Sequence, residues 1–233
     1  MRWNHPERGF VSPSIFIPLA EQSELIVELS SFALEQAART AAQWRRDGLT
    51  WQVGVNLSAS QIDDPTLVAT IDRALAVAGL PAESLVVEIT EGMAIAHLDA
   101  AVSTLDQLRQ RGINVVLDDF GTGYSSLAYV ARLRPTTIKI DRGFLASALE
   151  HQSDRNVLRA VVDFCRNLGL LVLAEGVETP QELDLLLELE VDLVQGFYFS
   201  PAVPASDIRA AVERVSEAWH REPSDSIPTG PLV

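Results

Sequence analysis

The chain has 233 residues, 47% of them apolar, with a formal net charge of −14. That length suits one large domain or two small ones around a substantial core, and the charge argues against a nucleic-acid polymer as partner, although metal ions lying between the anions would still admit phosphates. No apolar run approaches the ~18 residues of a membrane span, the opening MRWNHPERGF lacks the apolar centre of a secretory signal, and a single cysteine, Cys165, excludes an internal disulfide, so a cytoplasmic protein is expected.

In chain order, the first ten residues read as a loop. A long helix is predicted over roughly 23–46, with Leu25, Leu29, Phe32, Ala33, Ala37, Ala41 and Trp44 on its apolar face and Gly48 at its end. Three later segments resemble one another: AGLPAESLVVE, ending at Glu88; RGINVVLD, ending at Asp118; and LGLLVLAE, ending at Glu175. Each reads as a helix end, a glycine, a short apolar strand and then a carboxylate. Glycine suits the left-handed residue that closes a helix, and continuous apolar runs suit parallel strands buried on both faces. Helical periodicity fills the intervals, through Leu98, Ala101, Val102, Leu105 and Leu108, through Leu158, Val161, Val162, Cys165 and Leu168, and finally through Ile208, Val212, Val215 and Trp219. Cys165 on that apolar face reads as an inert core thiol. Strands are predicted near 53–57, 85–90, 113–118, 136–140, 170–174 and 192–197. No linker interrupts the chain between residues 10 and 218, so residues 1–218 are expected to form one domain, and the Pro/Ser-rich end, 219–233, a disordered tail.

Strands alternating with helices imply βαβ units and a parallel sheet. Two architectures satisfy that pattern: an open doubly wound sheet and a (β/α)8 barrel. In an open sheet, functional residues gather at one switch point. Here polar residues end every strand: Asn56; Glu88 with Glu91; Asp118 with Asp119; Lys139 with Asp141; Glu175 with Glu178; and Gln195. That distribution favours a barrel with its site at the C-terminal face, short of two strands.

Asn56, Glu88, Asp118 and Asp119 offer hard oxygen ligands from successive strands, which suits Mg²⁺ or Mn²⁺, and the sequence has no His/Cys cluster for zinc. Two such ions would clamp the attacking and leaving oxygens of a phosphoryl displacement. Lys139 among the carboxylates would orient a water or offset developing charge, and Glu175 would bind a metal or act as general base. Plainer readings apply to single residues: Asp119 and Asp141 as solvated turn residues, Lys139 as an ion-pair partner of Asp141, Glu91 and Glu178 as helix-start residues, Gln195 as a strand-end amide. Thr179 and Pro180 read as a helix cap and first turn. Gly121-Thr122-Gly123 supplies the backbone freedom of a mobile loop, with Ser125 as the cap that follows it. A Mg²⁺-dependent barrel of the enolase type also takes metal acids from successive strands and is the competing enzyme class on these residues alone.

The blocks RWNHPERGFVSPSIFIPLAE, VNLSASQ, VVEITE, LDDFGTGYSSL, TIKIDRGF, LAEGVET and VQGFYFSPAVP follow one another from Arg2 to Pro204, and the similarity they mark extends to about Val215. In that order they resemble the EAL-domain phosphodiesterases of bacterial cyclic di-GMP signalling. The resemblance implies a TIM-like (β/α)8 barrel, here incomplete and lacking the two N-terminal strands, and hydrolysis of cyclic di-GMP to linear pGpG with two Mg²⁺ or Mn²⁺ ions. It implies Asn56, Glu88 and Asp118 as ligands of one metal, Asp118 and Asp119 of the other, Lys139 as the holder of the catalytic water, and Glu175 as the acid near the second metal. It further implies that Gln195 lines the site, that Arg2 contacts substrate phosphate, and that Glu91 steadies the loop 119–126, a loop linked to homodimerisation. GGDEF or sensory domains are the expected partners in a longer parent. The family signature E-A-L-x-R reaches this sequence only at its final arginine, Arg2, and FSPAVP departs from the family's FSRP. The signature glutamate would fall before Met1, so impaired turnover is expected of this chain. An inactive module binding cyclic di-GMP or a protein is the alternative.

Overall fold

A computed structural model describes residues 3–23, 25–121 and 127–221. The chain divides into two compact units, Met1–Val116 with Ala128–Arg134, and Leu117–Leu127 with Pro135–Val233.

The first unit opens on an antiparallel hairpin where a loop was expected: β1 (Trp3–His5) pairs with β2 (Gly9–Val11), with Trp3 opposite Val11. The turn is closed by His5, whose Nδ1 accepts the backbone N–H groups of Glu7 and Arg8 at 3.1 and 3.2 Å. Three-residue strands are too short to display an alternating pattern, which hid them. The helix α1 (Pro13–Glu21) was equally unforeseen and carries Pro18 inside it. In α2 (Leu25–Arg46) the buried stripe is Ile26, Leu34, Ala38, Ala41 and Ala42. Leu25 and Phe32, assigned to the core from periodicity, are 62% and 56% exposed. The first half of this helix is apolar on more than one side, so periodicity alone could not select the stripe that packs.

The core strand β3 (Val53–Asn56) is followed by α3 (Ala59–Ile62) and α4 (Leu67–Ala78), and runs parallel to β4 (Leu85–Thr90), which sets Asn56 level with Glu88. As predicted, α4 ends on a left-handed glycine, Gly79 (φ 65). Next come α5 (Glu91–Ala96), α6 (Leu98–Gln110), β5 (Asn114–Phe120) and α7 (Leu127–Leu133). Ala101, Leu105 and Leu108 of α6 are buried, in line with the periodicity.

β5 passes into the second unit, which continues with β6 (Thr137–Ile140), α8 (Arg142–Glu150), α9 (Gln152–Asn167), β7 (Leu171–Ala174), α10 (Pro180–Glu188), β8 (Leu193–Val194) and α11 (Ile208–Arg221). Strand order is β3-β4-β5 in the first unit and β5-β6-β7-β8 in the second, always sequential, and β6–β7 and β7–β8 pair in parallel. Leu158, Val161, Val162 and Cys165 of α9 are buried, whereas Leu168, at its C-terminus, is exposed. Burial pushes the Cys165 thiol up to about 11, as expected of an inert core thiol. α11 runs through Arg221, so residues 219–221 of the expected tail are helical. Residues 222–233 lie outside the described residues. No described helix is long and apolar enough to cross a membrane.

The start of α10 matches its sequence reading. Pro180 is in the first turn, Thr179 Oγ1 accepts the Glu182 N–H (3.2 Å), and Glu182 Oε2 accepts those of Thr179 (2.8 Å) and Glu178 (2.7 Å). Burial raises the Glu182 pKa, but these bonds and Arg142 outweigh it and hold the carboxyl below its ordinary value. A depressed folded-state pKa means stability that is present above the unfolded pKa and fades as pH falls through the folded one. Thr179→Ala is expected to cost about 1 kcal/mol in a denaturant titration, with Thr179→Ser retaining most of the cap.

Candidate metal-binding site

The expected site residues of the second unit converge at the C-terminal ends of β5, β6 and β7. Successive side chains on a regular strand point to opposite faces, so Asp118 and Asp119 should diverge. Asp119 instead has φ 58, a left-handed conformation that Asp tolerates better than most residues. Its backbone N–H donates to Asp118 Oδ1 at 2.9 Å. One carboxylate oxygen from each of Asp118, Asp119 and Glu175 lies within 4.8 Å of the others. Asp119 is therefore a half-buried residue in a left-handed turn whose carboxylate lies beside those of Asp118 and Glu175.

Lys139, in β6, supplies the local cation. It is 9% exposed, and its Nζ lies 2.8 Å from Glu175 Oε2 and 3.2 Å from Asp118 Oδ1. Asp141, the alternative partner, caps α8 by accepting the Gly143 N–H at 2.7 Å. Gln195 follows β8, and its Nε2 donates to Glu175 Oε2 at 3.3 Å. Burial chiefly, then the charges of Asp118, Glu175 and Asp141, push the Asp119 carboxyl above its ordinary value, while Lys139 opposes them. A divalent cation would offset the negative charge that Asp118, Glu175 and Asp141 crowd around Asp119, and an all-oxygen donor set suits a hard ion.

In the first unit, Asn56 and Glu88 stand in register at the ends of β3 and β4, and Leu57 N–H donates to the Glu88 carbonyl at 2.9 Å. A Cβ at Gly54 would fall 2.3 Å from Glu88 Oε1, so a glycine inside the strand leaves room for that carboxylate. The sequence reading passed over this role, although glycine within VGVN was its signal. Glu91 is buried at the first residue of α5, after the cap Thr90, as the helix-start reading had it. Arg2, Thr122, Gly123 and Ser125 lie outside the described residues.

Carboxylates and a buried lysine gathered where parallel strands end define a candidate site for a divalent cation. The EAL domain family model matches residues 1–202, and the chain belongs to that family. It is 38% identical over 213 residues to the bifunctional diguanylate cyclase/cyclic di-GMP phosphodiesterase MucR of Pseudomonas aeruginosa, covering 91% of this chain and 31% of that protein. It is 39% identical over 220 residues to the cyclic di-GMP phosphodiesterase NbdA of the same organism, covering 94% and 28%. A solved structure of the PaMucR phosphodiesterase in complex with c-di-GMP superposes with a TM-score of 0.84 at 38% identity, over 89% of this chain and 84% of that one. The chain thus spans less than a third of the length of these curated relatives. The fold is the EAL type of TIM-like barrel expected from the sequence, with six of the eight barrel strands among the described residues.

Proposed function

We propose that the chain is a cyclic di-GMP phosphodiesterase domain that cleaves the cyclic dinucleotide to linear pGpG with Mg²⁺ or Mn²⁺. The observation that carries this reading is the cluster of Asp118, Asp119 and Glu175 oxygens within 4.8 Å of one another, beside Lys139. The names of MucR and NbdA support the substrate assignment.

Asp118, Asp119 and Glu175 would hold the metal. On resemblance to the family motif alone, Asn56 and Glu88 are taken as further oxygen donors, Arg2 as a phosphate contact and Glu91 as the residue that steadies the loop 119–126. A bound dication would polarise the phosphodiester and offset charge on its oxygens. Lys139 Nζ, fixed between Asp118 and Glu175, would donate a hydrogen bond to the attacking water. Glu175, whose Oε2 lies 2.8 Å from that ammonium, would accept the water's proton. Gln195 Nε2, bonded to the same oxygen, would keep the carboxylate turned inward.

The proposal includes a cytoplasmic location, a homodimer, and a diguanylate cyclase (GGDEF) or sensory domain as partner. The bifunctional name of MucR supports the cyclase partner. Incubating the chain with c-di-GMP and Mn²⁺ is expected to yield slow, EDTA-sensitive formation of pGpG, read by chromatography. Absence of pGpG at saturating Mn²⁺ would contradict the proposal, and nucleotide binding without product would favour the inactive binding module instead.

A further inference from the structure

The loop that follows β7, Glu175-Gly176-Val177-Glu178, is held from two sides. On one side, Val177 N–H donates to the Gln195 carbonyl at 3.1 Å, and Tyr198 N–H donates to the Val177 carbonyl at 2.9 Å. Gly196 packs so closely there that a Cβ on it would fall 2.1 Å from Val177 O. The other side is covered by Arg142, the first residue of α8. Gly176 is left-handed (φ 71), and a Cβ on it would lie 2.7, 2.8 and 2.9 Å from Cβ, Cγ and Cδ of Arg142. The arginine stem thus occupies the space that a side chain at 176 would need. Its guanidinium reaches Glu178 Oε2, at 2.5 Å.

We propose that Arg142 is a positioning residue: laid across Gly176 and tied to Glu178, it holds the loop so that the Glu175 carboxylate stays against Lys139 Nζ. Glu175 is anchored on the sheet side by its N–H, which donates to the Ile140 carbonyl at 3.1 Å, and Arg142 restrains the residue immediately after it. The consequence for metal binding rests on the function proposed above; the restraint itself does not. The Arg142 and Glu178 side chains are 52% and 33% exposed, so the ion pair adds little to global stability, and its effect is local.

The test uses the whole chain and four proteins: wild type, Arg142→Ala, Arg142→Lys and Glu178→Gln. Amide hydrogen exchange, measured without metal, is expected to quicken in the segment 174–179 of Arg142→Ala while the thermal midpoint stays close to wild type. Mn²⁺ affinity should fall about 10-fold, as for other residues that orient a metal ligand from outside. Arg142→Lys keeps the stem over Gly176 and a charge for Glu178, so it should recover most of both properties, whereas Glu178→Gln should share the loss. Unchanged exchange in 174–179 of Arg142→Ala would overturn the proposal. So would a large fall in midpoint that Arg142→Lys fails to rescue, since that marks a general structural role. Faster exchange together with no Mn²⁺ binding even by wild type would uphold the strap and refute the metal reading.

Discussion

Asp118→Asn is expected to lower metal-dependent hydrolysis of c-di-GMP by more than about 100-fold, above the ~10–100-fold typical of residues that only orient a ligand. The substitution keeps the side chain's size and removes its charge. Asp118 is 8% exposed, so water cannot readily replace the lost oxygen anion. The amide oxygen can still accept a hydrogen bond from Lys139, and the folded state keeps its packing. The expected signature is therefore lost turnover and lost Mn²⁺ affinity at a nearly unchanged thermal midpoint. Turnover, midpoint and metal binding measured on the same preparation check it. A parallel collapse of stability would show that Asp118 serves the fold more than the chemistry.

The second large effect is on stability. Lys139→Met should destabilise the metal-free protein by about 3 kcal/mol, toward the low end for removing one partner of a buried ion pair. The lysine and Asp118 side chains are only 11% and 12% exposed, and Glu175 25%, so carboxylates left without their cation are poorly compensated by solvent. A ligand that binds only the folded state stabilises it by mass action. Millimolar Mn²⁺ should therefore restore more stability to Lys139→Met than it adds to wild type, because the dication replaces the missing charge. Chemical denaturation of both proteins, with and without Mn²⁺, reads this directly. An equal response to metal in the two would mean that Lys139 does not share the carboxylates' field.

The strands were legible where burial on both faces writes itself as a continuous apolar run: LVVEIT became β4, and NVVLD opened β5. β8 was expected over 192–197 but covers Leu193–Val194, because Gly196 closes onto the Val177 backbone and takes the chain out of the sheet. That close approach joins residues far apart in sequence, and local pattern cannot show it. The hairpin of Trp3–His5 and Gly9–Val11 escaped for the opposite reason: it is local but too short for a period to register. For the site, residue type and position after a strand sufficed to nominate Asp118, Lys139 and Glu175. The left-handed turn of Asp119, which brings both neighbouring carboxylates together, was not foreseen. Nor was the Arg142 stem filling the space at Gly176, which depends on packing between α8 and the loop after β7.

The central claim is that Asp118, Asp119 and Glu175 form a divalent-cation site. Titrating the chain with Mn²⁺ and following the free ion by electron paramagnetic resonance tests it most directly, because no substrate or turnover is needed. Saturable binding by wild type, lost in both Asp118→Asn and Glu175→Gln, is the predicted result. A wild-type chain that leaves Mn²⁺ free throughout the titration, or variants that bind it as tightly as wild type, would contradict the account.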